Sequence, residues 1–151
     1  MAVSPGEQRI TEAVRRFWDS EPCGSEVSEA DDERRYFDEL TRRRYELESH
    51  IPEIADFDRW RGRDVLEIGA GPGTDGERFA RAGAHYTGVD VSPESLRLAR
   101  RRFELYRLEG ELLEQNATRL PFEDESFDLV YSHGVLHHIP AIEQVVAEIH
   151  R

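Results

Sequence analysis

A glycine-rich loop beside an acidic residue is the segment best suited to bind a small molecule. The apolar run Val65-Leu66-Glu67-Ile68 is followed directly by Gly69-Ala70-Gly71-Pro72-Gly73. Glycines placed straight after a buried strand let the main chain approach a ligand, because no Cβ stands in the way. The spacing is G-x-G-x-G, whereas a dinucleotide fingerprint has its last glycine where Thr74 stands. A turn that only packs a helix onto a strand is the alternative interpretation.

Polar residues after three predicted strands add to the case for a ligand. Glu67 lies at the carboxyl end of the first strand, where its carboxylate can attract a cationic amino group. Asp90 ends the second strand about 20 residues after the loop, where an acidic side chain can accept hydrogen bonds from both hydroxyls of a ribose. Asn116 and Ala117 follow the third strand, next to the expected position of an adenine. The pattern indicates a nucleoside-type ligand.

Alternating strands and helices position these residues. Strands that alternate with helices pair in parallel through right-handed crossovers. The expected fold is therefore α/β, a Rossmann-like open parallel sheet with its first four strands visible. Apolar runs and helical spacing predict strands at residues 64–68, 86–89, 111–114 and 127–131, and helices at residues 74–82, 93–107 and from 141 onward.

Residues 1–62 carry no strand signal and are predicted to form a helical cap or lid on a core formed by residues 63–151. Pro52 predicts an extended connection between the two. Two amphipathic helices are predicted in the cap, over residues 7–18 with Ile10, Val14 and Phe17 as apolar positions, and over residues 31–48 with Tyr36, Phe37, Leu40 and Leu47.

The cap also contains side chains that could cover a bound ligand. Arg44 is suited to meet a carboxylate. The alternative is that Tyr36, Phe37 and Leu40 only attach their helix to the core. The aromatic residues suited to form walls are Phe17, Trp18, Tyr36, Phe37 and Tyr45.

The last predicted helix ends the sequence without a fifth strand. Ile142, Val145, Val146 and Ile149 form a face that is predicted to be buried. The strand at residues 127–131 is expected at an uncovered edge of the sheet, through which copies of the chain could form a homo-oligomer. The sequence therefore looks like the front part of a longer protein, with a core that is incomplete at its carboxyl end.

Composition and charge narrow the range of partners. Of 151 residues, 20 are basic, all of them arginine, and 32 are acidic, so that the net charge is −12. Nucleic acid is disfavoured because its binding proteins generally present a basic face. The arginine triplets at residues 42–44 and 100–102 are interpreted as solvated helix faces. A cytoplasmic protein without a membrane span is expected, since there is no long apolar run or secretory signal, and Cys23 is the single cysteine.

Three histidines follow the fourth predicted strand. An imidazole, with a pKa of about 6.5, suits proton removal near neutral pH. His133 lies closest to the strand end, and His133 and His138 are the candidate catalytic bases; a packing or hydrogen-bonding role is the alternative for each. His137 and His138 are poorly spaced for a metal pair, so no metal site is predicted.

In combination, these segments resemble a class I S-adenosylmethionine-dependent methyltransferase of the branch that acts on small molecules. The resemblance covers residues 64 to about 150 in the family's order. The matching segments are 65–74, 88–92, 116–117, 120–122, 127–132 and 135–139.

The resemblance implies a role for each cofactor-binding residue. Glu67 and the loop residues Gly69, Ala70, Gly71 and Gly73 would lie near the methionine moiety. Ser132, in the matching segment after the fourth strand, is also expected to bind the cofactor. The adenosyl part would be bound by Asp90 at the ribose, Val91 against the adenine face, and Asn116 and Ala117 at the adenine edge.

The implied reaction is methyl transfer from S-adenosylmethionine to an oxygen, nitrogen or carbon of a small organic acceptor, with S-adenosylhomocysteine as product. Positioning of the nucleophile and removal of water can account for much of the rate. Two alternatives stay open at this point. One is a nicotinamide-dinucleotide-dependent oxidoreductase or epimerase, and the other is a non-catalytic cofactor-binding fragment.

Overall fold

The computed structural model describes residues 5–22 and 32–151 and contains a four-stranded sheet. The strand order is β3-β2-β1-β4 and every neighbouring pair is parallel, which confirms the predicted Rossmann-like α/β sheet. The glycine loop leaves the sheet from an inner strand, β1, and β4 lies at an edge. The strands are β1 (Asp64–Ile68), β2 (His85–Asp90), β3 (Glu111–Glu114) and β4 (Leu129–Tyr131).

Among the described residues, six α-helices accompany the sheet, and short 3-10 turns follow α3 and β4. Ser92 caps α5, since its hydroxyl oxygen accepts a hydrogen bond from the main-chain N–H of Ser95 at 3.1 Å, and Pro93 occupies the first turn. Gly83 ends α4 in the left-handed conformation. The helices are α1 (Pro5–Ser20), α2 (Glu33–Leu47), α3 (Ile51–Ala55), α4 (Thr74–Ala82), α5 (Pro93–Tyr106) and α6 (Ile142–His150).

Apolar clusters cover both faces of the sheet. Successive residues of a strand point to opposite faces, and Val65 and Leu66 accordingly belong to different clusters. The first cluster includes Phe79 of α4, and the second includes Val145 of α6. This double burial explains why β1 is apolar apart from Glu67 and its exposed first residue.

Several residues that were predicted as apolar positions of helices are exposed. Ile10 and Phe17 are 50% and 52% exposed, because α1 turns a neighbouring stripe toward the protein. That stripe contains Thr11, Val14 and Trp18, which line a cavity rather than the core. On α6 the prediction is correct for Val145 and wrong for Ile142 and Val146, both of which are exposed; Leu47 of α2 is exposed as well.

The arginine triplets do not form uniformly solvated faces. Arg42 is exposed, whereas Arg44 forms an ion pair with a buried aspartate. Arg102 of the second triplet is fully buried. The prediction was wrong because consecutive helical residues point about 100° apart, so that a triplet reaches both the solvent and the protein interior.

Local details also differ from the predictions. Pro52 lies in the first turn of α3 rather than in an extended connection, at a position where proline is tolerated. β4 begins at Leu129, two residues later than predicted, and Cys23 lies outside the described residues. In the ranges 5–22 and 32–151, none of the helices has the length and apolar character that crossing a membrane requires.

Candidate functional site

A cavity of about 300 Å³ opens at the carboxyl ends of the strands. Its floor is the glycine loop, and its sides are the end of β2 and the segments that follow β3 and β4. Residues of α1 and α2 complete the wall, so the predicted cap contributes directly to the site. Its size is at the lower end of the range that is usual for small-molecule sites, roughly 300 to 1,000 Å³.

Two of the predicted site residues lie outside the cavity lining. At Gly73 an added Cβ would come 3.1 Å from the Cβ of Ala99, so this glycine allows α5 to pack closely. The hydroxyl of Ser132 donates a hydrogen bond to the main-chain oxygen of Ile68 at 2.9 Å. The predicted residues that do line the cavity are Glu67, Gly69, Ala70, Gly71, Asp90, Val91, Asn116, Ala117, His133 and His138.

The glycine loop presents bare main chain to the cavity. Gly69 and Gly71 have φ values of 80° and 53°, in the left-handed region that favours glycine. A Cβ added at Gly69 would collide with Val135, whereas one added at Gly71 would meet no atom within 4 Å. Gly71 therefore leaves open space beside its main chain, where a ligand can approach.

The Asp90 carboxylate holds this loop in place. It accepts hydrogen bonds from the main-chain N–H groups of Gly71 at 2.8 Å and Ser92 at 2.9 Å. Burial raises the pKa of Asp90, and the hydrogen bonds from Ser92 and Gly71 oppose this rise. Each carboxylate oxygen can accept a further hydrogen bond. The side chain can thus shape the loop and still accept from a ligand.

Glu67 places a second carboxylate in the cavity wall. Glu67 is only 4% exposed, and its carboxylate accepts a hydrogen bond from the hydroxyl of Tyr86 at 2.6 Å. Burial, followed by the charge of Asp75, raises the pKa of Glu67 well above its ordinary value, although the hydrogen bond from Tyr86 opposes the rise. A cationic ligand group would stabilise the ionised form.

Asp75, a residue that the sequence analysis missed, joins three elements at the cavity wall. Arg44 of α2 donates to both of its carboxylate oxygens, from Nε at 3.0 Å and from Nη2 at 2.6 Å. The hydroxyls of Tyr45 and Tyr131 donate to it at 2.8 Å and 3.0 Å. Burial, reinforced by the charge of Asp75, raises the pKa of both tyrosines, so they remain protonated donors. The sequence signal that could have pointed to Asp75 is the position of an acidic residue in the first helical turn after the loop.

His133 lies between two charged side chains of α2. Its Nδ1 is 3.4 Å from Nη2 of Arg44, and its Nε2 is 3.9 Å from Oε1 of Glu48. Arginine can only donate hydrogen bonds, so a neutral ring must accept at Nδ1 and carry its proton on Nε2. In this arrangement the Nε2–H of His133 faces the carboxylate of Glu48 and no lone pair of the ring is left to take a proton, which does not favour the predicted role as a base.

His138 is placed differently. Its ring packs edge-on against Trp18 of α1, with centroids 5.5 Å apart, and its other ring neighbour is His137 at 3.9 Å. Partial burial, followed by the charge of His137, lowers the pKa of His138. The ring is therefore neutral at neutral pH and has a lone pair available for a proton. The catalytic role of either histidine stays a prediction.

The amide of Asn116 is oriented by its own turn. Its Oδ1 atom accepts hydrogen bonds from the main-chain N–H and the hydroxyl of Thr118, at 3.0 Å and 2.9 Å. This leaves the NH₂ group of Asn116 as the part that can contact a ligand. Such a group can donate to a ring nitrogen.

Comparisons with known proteins identify the family of the chain. The family described as a methyltransferase domain matches residues 65–151, more than half of the chain. The chain is 35% identical over 92 residues to a phthiotriol/phenolphthiotriol dimycocerosates methyltransferase of Mycobacterium leprae, covering 60% of this chain and 33% of that protein. It is 32% identical over 132 residues to a fatty-acid O-methyltransferase of Mycolicibacterium smegmatis, covering 86% of this chain and 44% of the relative. The chain thus spans less than half the length of either relative.

The fold likewise matches a solved structure. A magnesium protoporphyrin IX methyltransferase from Synechocystis PCC 6803, crystallised with S-adenosylmethionine, superposes with a TM-score of 0.69. The match covers 98% of this chain and 71% of that one at 18% identity. Neither the nicotinamide-dependent alternative nor the non-catalytic one is supported by these comparisons. The chain belongs to the class I S-adenosylmethionine-dependent methyltransferases.

Proposed function

We propose that this chain binds S-adenosylmethionine in the cavity and transfers its methyl group to a small organic acceptor. The observation that carries the proposal is the meeting of three features in one cavity: the open main chain at Gly71, the Asp90 carboxylate and the buried Glu67 carboxylate. S-adenosylmethionine combines a ribose with an ammonium and a sulfonium cation. A site with acidic groups and exposed main chain complements it.

Each part of the ligand has a counterpart in the cavity. Glu67 would bind the ammonium group, since a buried carboxylate is stabilised by an adjacent cation. Asp90 would accept from the ribose hydroxyls while it retains its hydrogen bonds from the loop. Val91 would pack on the adenine face, and the free NH₂ of Asn116, beside the main chain of Ala117, would donate to a ring nitrogen of the base.

The protein's part in the reaction is mainly positioning. Bound S-adenosylmethionine supplies an electrophilic methyl group that is open to in-line displacement. The glycine loop and the two carboxylates hold the donor, while α1 and α2 exclude water from the acceptor side of the cavity. Where the acceptor arrives protonated, the neutral ring of His138 is the better placed base.

The acceptor class is proposed from the same cavity and from the relatives. Two relatives are named for methylating lipids, and one of them aligns with most of this chain. We propose an acceptor of small-molecule or lipid type, with nucleic acid disfavoured by the net charge of −12. A cytoplasmic location, and association of two copies through the β4 edge, stay predictions.

Calorimetric titration tests the proposal directly. The chain is expected to bind S-adenosylmethionine and not NAD. Asp90→Asn is expected to weaken that binding about tenfold, because a charge-assisted hydrogen bond is worth roughly 1.5 to 3 kcal/mol and the amide keeps one acceptor oxygen. Asp64→Asn removes the same charge from an exposed side chain at the opposite end of β1 and serves as control. Equal affinity of the two variants would contradict the ribose assignment, and binding of NAD alone would overturn the function.

Affinity for S-adenosylmethionine is also expected to fall as the pH is lowered. Burial raises the pKa values of Glu67 and Asp90. Both carboxylates are therefore protonated at a higher pH than exposed ones, whose pKa is about 4. The ammonium of the ligand then loses its partner. Calorimetry between about pH 5 and pH 8 would measure the decrease, and Glu67→Gln should flatten it.

The contribution of Glu67 and Asp90 to the stability of the free protein should change with pH in the direction opposite to that of the affinity. A folded-state pKa above the unfolded value means that the folded chain holds the proton more tightly. Their contribution to stability is therefore complete below the unfolded pKa and is lost as the pH rises through the folded pKa. A weakening of binding at low pH that merely followed acid unfolding would contradict the prediction. Thermal denaturation at each pH shows whether the protein is still folded where its affinity has fallen.

A further inference from the structure

We infer that Arg43, at the rim of the cavity, binds the carboxylate of an acceptor whose body is apolar. This inference rests on the proposed methyltransferase function and names the class of acceptor for the same cavity. Arg43 and Leu47 are the exposed residues of α2 that line the cavity, and we refer to them as the rim. Residues spaced by four in a helix lie on the same face, so the rim presents a cation beside an apolar side chain.

The three consecutive arginines of α2 have different environments. Arg42 donates to both carboxylate oxygens of Glu46, at 2.8 Å and 2.9 Å, away from the cavity. Arg44 is engaged by Asp75 and by Glu48. Arg43 lines the cavity, and its side chain forms no ion pair or hydrogen bond with any residue of the ranges 5–22 and 32–151. Its guanidinium is thus available for an anion that enters the cavity.

Charge is distributed unevenly along the cavity. Glu67 and Asp90 adjoin the glycine loop that forms the floor, where the cationic methyl donor is proposed to bind. Arg44 forms ion pairs with both Asp75 and Glu48, the other two acidic residues of the cavity lining. The floor therefore suits a cation and the rim an anion. An acceptor whose anionic group pairs with Arg43 is kept away from the carboxylates of the floor.

Apolar side chains supply the rest of the acceptor side. Leu47 is 74% exposed although it lines the cavity, so its surface is available to a ligand. Val14 of α1 and Ile139 after β4 lie in the same wall. Contact with an apolar ligand would remove these surfaces from water, which is favourable by about 25 cal/mol per Å².

A carboxylate fits this site better than a phosphate does. A guanidinium can form a two-bond fork with a carboxylate or with a phosphate, so the charge of the ligand decides between them. A phosphate monoester carries a charge of about −1.5 to −2 at neutral pH and would face the nearby acidic groups with more charge than one arginine neutralises. The predicted acceptor is thus a monocarboxylic acid with an apolar chain. Its carboxylate is already ionised at neutral pH.

The inference is tested by calorimetry on the full 151-residue chain saturated with S-adenosylhomocysteine. The probes are octanoate, octan-1-ol, octylamine and octyl phosphate, which share one apolar chain. Octanoate is expected to bind about tenfold more tightly than octan-1-ol, as a charge-assisted pair at a partly exposed site allows. Octylamine and octyl phosphate are expected to bind less tightly than octanoate.

Matched variants assign the effect to Arg43. Arg43→Gln should remove most of the preference for octanoate, about five- to tenfold, and leave the affinity for S-adenosylhomocysteine unchanged. Arg42→Gln removes the neighbouring charge from an exposed ion pair, so it should change octanoate affinity by less than about twofold. Three results would each overturn this inference but not the proposed function. They are equal affinity for octanoate and octan-1-ol, an Arg43→Gln variant with unchanged affinity for octanoate, and tighter binding of octyl phosphate than of octanoate. Failure of S-adenosylhomocysteine to bind would instead overturn the proposed function.

Discussion

Replacing Gly71 with valine is expected to weaken binding of S-adenosylmethionine by about 100-fold or more, equivalent to about 2.8 kcal/mol, while the sheet still forms. Gly71 has a φ of 53°, and an added Cβ would meet no atom within 4 Å, because that space belongs to the cavity that Gly71 lines. A valine side chain would occupy the position through which the ligand approaches the main chain. It would also disturb the N–H group that donates to Asp90.

Gly62 provides a matched control for this substitution. It also has a left-handed φ, 69°, and a Cβ added there also meets nothing within 4 Å, but it lies before β1 and outside the cavity lining. Valine at either position carries a similar backbone strain of about 1 to 3 kcal/mol. Gly62→Val should therefore lose stability but keep its affinity. Calorimetry and thermal denaturation of both variants measure the difference, and equal affinities would show that the loop serves only as scaffold.

The elements with local signals could be predicted from the sequence. β1, α4 and β3 begin and end at the predicted residues. In β1 and α4, an apolar run, a glycine turn and a helical repeat lie next to one another, and each of these patterns is set by near neighbours. The same local order placed Gly71 and Asp90 at one end of the sheet, since parallel strands end at a common edge.

Contacts between distant residues left no such signal. Arg44 and Asp75 are 31 positions apart, and the sequence does not show which face of α2 packs against α4. An arginine triplet has the same pattern whether its members are solvated or buried, which is why the buried Arg102 was missed. α1 was misjudged for a related reason. A helix that covers a cavity can leave one apolar stripe exposed while a neighbouring stripe faces the cavity. Periodicity alone does not show which of the two stripes faces the protein.

A second large effect is expected on stability, at the buried ion pair between α4 and α5. Glu77→Gln should lower the free energy of unfolding by about 3 kcal/mol, because removing one member of a buried pair leaves an uncompensated charge. Arg102 is fully buried, and its Nη1 donates to Oε2 of Glu77 at 2.9 Å and to the hydroxyl of Thr41 at 3.0 Å. Its Nε and Nη2 atoms have no hydrogen-bond partner among the described residues. Burial lowers the pKa of Arg102, and the charge of Glu77 opposes that change.

The surroundings of Arg102 connect this pair to the cavity. The guanidinium carbon lies 4.8 Å from the ring centroid of Phe37, which belongs to α2 together with Thr41, Arg43 and Arg44. Loss of the pair should therefore loosen the helix that forms one wall of the site. Glu77→Gln is expected to weaken octanoate binding as well as to unfold at lower denaturant concentration.

Chemical denaturation with matched variants separates the buried charge from a general effect of substitution. Glu46→Gln breaks an ion pair of similar length whose side chains are 64% and 58% exposed, so it should cost less than about 1 kcal/mol. The double variant Glu77→Leu with Arg102→Met removes both charges and fills the space with apolar atoms, so it should recover most of the stability lost in Glu77→Gln. If Glu77→Gln were no less stable than Glu46→Gln, the Arg102–Glu77 pair would not anchor α2, and the position of Arg43 would have to depend on Asp75 instead.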